Sequence, residues 1–137
     1  MKDLFLDSNV LIYAYGGPSP FKEACRRIIL WRSRRLARLH VSTEAIQELF
    51  HHRLRVADRA TAAEDAREAM TFCEIHAFDT ATLDYALTLG ATTEVRGRDA
   101  VHAATALRVG FVEIISTDED FDAIPGLRRV PPKDVQL

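Results

Sequence analysis

Lys2-Asp3-Leu4-Phe5-Leu6-Asp7-Ser8-Asn9 carries an apolar run that reads as a buried strand, with Asp7 the first polar residue beyond it. Val112-Glu113-Ile114-Ile115-Ser116-Thr117-Asp118 repeats the pattern late in the chain. In open α/β sheets, ligands bind in the crevice outside the carboxyl ends of the strands, so two strands that each end in Asp form the floor of a site. Taken singly, each Asp is better explained as the N-cap of the next helix or turn.

Between these strands the chain alternates helix and strand. Val10 to Tyr15 starts a short helix that Gly16-Gly17-Pro18 stops, and Pro20 opens a second whose Ala24, Ile28, Ile29 and Trp31 face the core. Leu39 to Ser42 is a short strand, Thr43 to Val56 a helix, and Asp58 to Met70 another, rich in Ala, Glu and Arg. Phe72 to Phe78 alternates in part, and Asp79-Thr80-Ala81-Thr82 signals a helix that Gly90 should end. Arg98-Asp99 begins a last helix, closed by Gly110, before the second Asp-terminated strand. Asp118 to Phe121 is a turn or short helix, and Leu127 to Val130 is an edge strand. This order predicts an α/β fold of three layers over residues 1–137 as a single domain: a central, mainly parallel sheet of about five strands flanked by helices.

At 137 residues the chain has room for one domain with a real core. Its 18 Lys and Arg against 20 Asp and Glu give no global sign of nucleic-acid binding. The distribution is uneven, however. Arg26, Arg27, Arg32, Arg34, Arg35 and Arg38 crowd the first third while the acids concentrate later, as suits a basic surface beside an acidic pocket. A solvated helix face explains the same run. Cys25 and Cys73 are isolated, so they read as buried thiols in a reducing cytoplasm. No stretch approaches the length of a membrane span, and an unprocessed cytoplasmic protein is expected.

Two further acids complete the pattern. Asp99 stands at a helix start, where the macrodipole favours its ionised form. Glu48 lies mid-helix beside the apolar stripe Ile46, Leu49 and Phe50, and an acid bordering a buried stripe needs a partner or a metal. Glu44, one turn earlier, competes for that role. Converging carboxylates repel unless a cation neutralises them, and hard oxygen ligands select Mg²⁺ or Mn²⁺. Such a site can activate water for attack on a phosphodiester.

Leu6-Asp7-Ser8-Asn9-Val10-Leu11, the helix Ser42 to Leu49, Arg98-Asp99-Ala100-Val101-His102-Ala103-Ala104-Thr105-Ala106 and Ile115-Ser116-Thr117-Asp118-Glu119-Asp120-Phe121, in that order, resemble a PIN domain. In length the chain is similar to the single-domain VapC-type toxins of prokaryotic toxin–antitoxin pairs. The resemblance implies a Mg²⁺- or Mn²⁺-dependent endoribonuclease with Asp7, Glu48, Asp99 and Asp118 at the family's acidic positions. It selects Glu48 over Glu44, implies that Asp120 completes a metal set with Asp7, Asp99 and Asp118, and makes Asn9 and Thr117 polar supports. It also implies an RNA substrate, a small cognate antitoxin and a homodimer or toxin–antitoxin hetero-oligomer. Ile12, Tyr15, Ile28 and Trp31 are the residues expected at such contacts.

His102, one turn from Asp99, reads as a packed core histidine outside the site. A receiver-like Mg²⁺-binding module is the alternative from another class, but it needs an acid pair near the first strand and a later Lys at a strand end. A phosphatase using Asp7 expects a second Asp where Asn9 stands.

Overall fold

The computed structural model describes residues 1–137. Five short strands form: β1 (Lys2–Phe5), β2 (Ala37–Ser42), β3 (Cys73–His76), β4 (Glu113–Ile115) and β5 (Arg128–Val130). Six α-helices connect them: α1 (Ser8–Tyr15), α2 (Lys22–Ser33), α3 (Thr43–Val56), α4 (Arg59–Phe72), α5 (Thr80–Thr92) and α6 (Gly97–Arg108). β1, β2 and β3 make one parallel ladder and β4 with β5 another. A parallel bridge from Leu6 to Ile115 joins the two beside β1. The lateral order is therefore β3-β2-β1-β4-β5. The chain first builds outward from β1 through β2 to β3, then returns to place β4 on its other side. The switch point lies between β1 and β4, where this topology opens a crevice at the carboxyl ends.

Alternation along the strands divides the core. Leu4, Leu6, Leu39, Val41 and Ile115 point into an apolar cluster with Val10, Leu11, Ile28 and Leu49 from α1, α2 and α3. Phe5 and Ile114 point the other way, joining Leu89, Ala103, Ala104 and Phe121 under α5 and α6. The sheet is covered on both faces, which is why its strands read as nearly continuous apolar runs. The first cluster also takes in Cys25 and Cys73, both free thiols.

Most helix starts follow the expected chemistry. Ser42 caps α3 by accepting from the Ala45 N–H at 3.2 Å, Asp58 caps α4 through Thr61, and Asp79 caps α5 through Thr82. α1 begins at Ser8, two residues before the expected Val10, because Asp7 accepts from the Ser8 N–H at 2.7 Å and acts as its cap. Gly90 does not stop α5, which runs on to Thr92. Buried Leu89 anchors that last turn and its carbonyl accepts from the Thr93 N–H at 2.9 Å. Gly110, by contrast, turns the chain from α6 toward β4 at φ +93°, a conformation that suits a residue without Cβ.

Two expectations about the early helices change. Ile28 is fully buried, so it belongs to the core and offers nothing to a partner. Arg34 and Arg35 lie between α2 and the amino end of β2, and Arg38 is in the first part of that strand. They sit at the end of the sheet opposite the crevice. This part of the basic run does not border the acidic pocket.

Candidate metal centre

The crevice gathers acids from four parts of the chain. Asp7 comes from the end of β1, Glu48 from the middle of α3, Asp99 from the first turn of α6, and Asp118 from beyond β4. Asp118 also caps the 3₁₀ turn Glu119–Ala123, accepting from the Asp120 N–H at 2.9 Å. Capping and convergence are thus compatible for Asp7 and Asp118. Asp99 is different: Arg96 occupies the N-cap position of α6 and makes no side-chain cap, leaving the Asp99 carboxylate for the crevice.

Asp99, Asp118 and Asp120 can each offer an oxygen such that all three atoms lie within 4.8 Å of one another. Their crowding raises the proton affinity of Asp99. Burial, and then the charges of Asp118 and Asp7, push its pKa up to about 7. Asp7 lies outside this tight triple but beside it. Its carboxyl is almost wholly buried, and that burial raises its pKa against the opposing influence of His102 and Ser116. The Ser116 hydroxyl donates to Asp7 Oδ2 at 2.8 Å and accepts from the Asp118 N–H at 2.9 Å, tying the two strand ends together.

Glu48 stands in different surroundings. Its carboxylate accepts from the Ser8 hydroxyl and from His102 Nε2, the latter at 3.1 Å. His102 Nε2 is also 3.8 Å from Asp7 Oδ1. At its other nitrogen, Nδ1 lies 2.9 Å from the Ser42 hydroxyl. The Ser42 hydroxyl, which accepts from the Ala45 N–H, thus holds the ring by Nδ1 with Nε2 and its proton facing the acid. Burial opposes ionisation of Glu48, yet the His102 hydrogen bond, the His102 charge and Ser8 together hold its pKa below the ordinary value. The imidazole responds in kind: burial works against its charge, but Glu48 and Asp7 hold its pKa above the ordinary value.

His102 is 1% exposed, as a packed core histidine should be, but it touches the site rather than standing apart from it. Its spacing of three residues from Asp99 put both on one helix face. That was the available signal, and the surrounding alanines masked it. Ser8, Ser42 and Ser116 were also missed, since a serine at a strand end is ordinarily a cap or turn residue.

Asn9 donates to the hydroxyls of Ser116 and Thr117 at 3.1 and 3.0 Å. It therefore braces Ser116, which in turn holds Asp7. Thr117 supports Asn9 and makes no hydrogen bond to a carboxylate. Glu44 lies a turn away from these contacts, in a cleft that Glu48 shares. Arg96 Nε approaches Asp120 Oδ2 at 3.0 Å, and Arg98 Nε stands 4.0 Å from Glu48 Oε1.

The donor set suits a hard divalent cation. Three carboxylates meet, one with a strongly raised pKa, the buried oxygen Asn9 Oδ1 lacks a hydrogen-bond donor, and Asp120 Oδ2 is met only by the exposed Arg96 guanidinium. No sulfur joins them, and the buried histidine is engaged elsewhere.

The model of the PIN domain matches residues 4–127. The chain belongs to the PIN-domain family. Ribonuclease VapC7 of Mycobacterium tuberculosis is 33% identical over 132 residues, which span 94% of this chain and 91% of that protein. Ribonuclease VapC13 of the same organism is 25% identical over 130 residues, covering 93% and 98%. Among solved structures, VapBC2 from Rickettsia felis bound to a DNA fragment from its promoter superposes with a TM-score of 0.73 at 16% identity, covering 94% of this chain and 98% of that one. The Mycobacterium tuberculosis toxin VapC20, which cleaves the sarcin-ricin loop, gives 0.71 at 16% identity over 87% and 92%. These distant structures share the fold. PIN nucleases depend on divalent metal, and the acidic cluster of this PIN domain fits that requirement.

Proposed function

We propose that this PIN domain is a metal-dependent endoribonuclease and the toxin of a VapBC-type toxin–antitoxin pair, acting in the cytoplasm. The observation that carries the reading is the aspartate triple at the β1/β4 switch point, with Asp99 pushed up to about 7 by burial and then by its acidic neighbours. Residues 1–137 act as one domain, since both apolar clusters are built on the same sheet. No helix is long and apolar enough to cross a membrane.

Asp7, Asp99, Asp118 and Asp120 would hold Mg²⁺ or Mn²⁺, and Asp7, Glu48, Asp99 and Asp118 form the catalytic set. A divalent ion bound there polarises the scissile phosphate and lowers the pKa of water. The chain's own contribution is placement. Ser116 and the Ser8 N–H hold the two oxygens of Asp7, and Ser116 also fixes the loop bearing Asp118. His102 and Ser8 keep Glu48 ionised and aimed, so that its carboxylate can orient a water or accept its proton. Hydrolysis leaves a 5′-phosphate and a 3′-hydroxyl.

The phosphatase reading lacks its second acid, because Asn9 is occupied in bracing Ser116 and Thr117. The expected partner is a small antitoxin, giving a hetero-oligomer with or without toxin dimerisation. A groove of about 620 Å³ between α1, α2 and α4 supports it, with Tyr15, Ile29 and Leu30 edged by Lys22 and Arg26. Tyr15 thus stays among the expected contacts.

Purified protein incubated with cellular RNA should cut it only when Mg²⁺ or Mn²⁺ is present. Asp7→Ala should not cut. Metal-independent cutting, or full activity in Asp7→Ala, would sink the reading.

A further inference from the structure

Between α3 and the start of α6 lies a cleft of about 320 Å³ lined by Glu44, Gln47, Glu48, His51, Arg98 and Val101. Glu48 is its shared wall with the acidic centre. Only one of the six lining residues is hydrophobic. The volume is at the low end of ligand pockets, roughly 300–1,000 Å³, which suits one nucleotide better than a folded element.

Resting on the ribonuclease reading, we propose that this cleft receives the nucleotide next to the scissile phosphate. Arg98 takes a backbone phosphate, and Glu44 and Gln47 read the edge of the base. Arg98 is the cation available for this task. Its side chain is 80% exposed and its approach to Glu48, at 4.0 Å, is too long for a hydrogen bond. Arg53 and Arg129, by contrast, are 15% exposed and held at 2.9 Å by Asp65 and Asp122. A guanidinium with free donors one residue before Asp99 can pair with a phosphate in fork geometry while the acidic centre addresses the bond beside it.

Glu44, Gln47 and His51 follow one another along a single face of α3 at spacings of three and four residues. Their side chains lie in the cleft, and none is engaged in a hydrogen bond or ion pair within the chain. A carboxylate accepts paired N–H donors, and a carboxamide can donate to a carbonyl. Together they match the Watson–Crick edge of guanine, the edge through which single-stranded RNA bases are read.

The test uses the full chain. A labelled single-stranded RNA is titrated into Asp7→Ala, with and without Arg98→Ala, across a salt series. Alongside, 5′ ends are sequenced after cleavage by wild type, Glu44→Gln, Gln47→Ala, Arg98→Ala and Arg98→Lys. Arg98→Ala should weaken RNA binding roughly 5- to 100-fold and lower the salt slope by about 0.7, with Arg98→Lys recovering part of the loss. Its Mn²⁺ affinity should stay within about twofold, a difference small beside one phosphate contact. Wild type should favour guanosine beside the cut, and Glu44→Gln and Gln47→Ala should relax that preference. Unchanged RNA affinity and salt slope in Arg98→Ala, or cleavage positions identical in Glu44→Gln and wild type, would overturn the subsite while leaving wild-type metal-dependent cutting intact. Loss of Mn²⁺ binding in Arg98→Ala would overturn it too, by placing Arg98 in the metal centre.

Discussion

Two sides of one crevice treat their carboxylates in opposite ways. On the α3 side, Glu48 has donors supplied by the protein: His102 Nε2 at 3.1 Å and the Ser8 hydroxyl, with Arg98 nearby. On the α6 and β4 side, Asp99 faces Asp118 and Asp7 and has its pKa pushed up to about 7. The same residue chemistry, a carboxyl in a partly buried place, is shifted down in one case and up in the other. The difference teaches where the cation belongs. On the proposed reading, the carboxylate whose charge is already balanced would serve as an oriented base, and the set that repels itself would be the ligand sphere.

The comparison breaks most visibly at Asp99. Asp99→Asn should reduce RNA cleavage by more than about 100-fold, since even outer partners of metal ligands are worth 10–100-fold. It should also raise the melting temperature of the metal-free protein by relieving repulsion, as thermal unfolding in a chelator would show. A lower melting temperature would mean that Asp99 is stabilised by the fold and not strained by it.

His102→Ala probes the balanced side. Glu48 would keep its place but lose its main donor, and cleavage should drop roughly 10–100-fold. Stability should fall by about 2–3 kcal/mol in urea unfolding, the usual cost of leaving a charged group short of a partner. Mn²⁺ affinity should change far less than in Asp99→Asn. Equal losses of Mn²⁺ binding in the two variants would erase the distinction between the sides.

The smallest effect is the pH dependence of the metal-free fold. The native Asp99 carboxyl holds its proton to about pH 7, while the unfolded one releases it near 3.8. The native state therefore binds more protons in that window, and stability should decline as pH rises from about 4 to 7. Asp7, also raised, acts with the same sign. His102 extends the decline above 6.5, because a raised histidine loses its contribution as pH climbs through its native value. Glu48 works in reverse, since its lowered pKa gives stability that is lost as pH falls below about 4.5. Melting curves with chelator should show the decline, and Asp99→Asn should flatten its lower part. A stability that climbs steadily from pH 4 to 7 in wild type would contradict this assignment.

Much of this arrangement was legible in the sequence, for reasons that differ by residue. Asp7 and Asp118 announced themselves because an apolar strand ending on an acid is visible in a few consecutive letters. The span of α3 matched residue for residue, because Ser42 supplies a cap and the apolar stripe runs without interruption to Val56. Gly90 misled because glycine lowers helix propensity, but the packing of Leu89 outweighed that local cost. The basic run was open to two readings for another reason: composition does not say which end of a sheet Arg34, Arg35 and Arg38 reach, and the structure puts them at the amino end of β2. His102, Ser42 and Glu48 lie 54 to 60 residues apart in their paired contacts, so no local pattern could display their network. The choice of Glu48 over Glu44 came from family resemblance, and His102 supplies its physical reason.

Calorimetric titration of Mn²⁺ at pH 6.5, in two buffers of different ionisation enthalpy, tests the contrast between the sides most directly. If Asp99 waits protonated for a cation, wild type should bind Mn²⁺ with release of a proton to the buffer, and Asp99→Asn should bind weakly with no such release. Binding by wild type with no buffer-dependent heat, or no binding at all, would contradict the account.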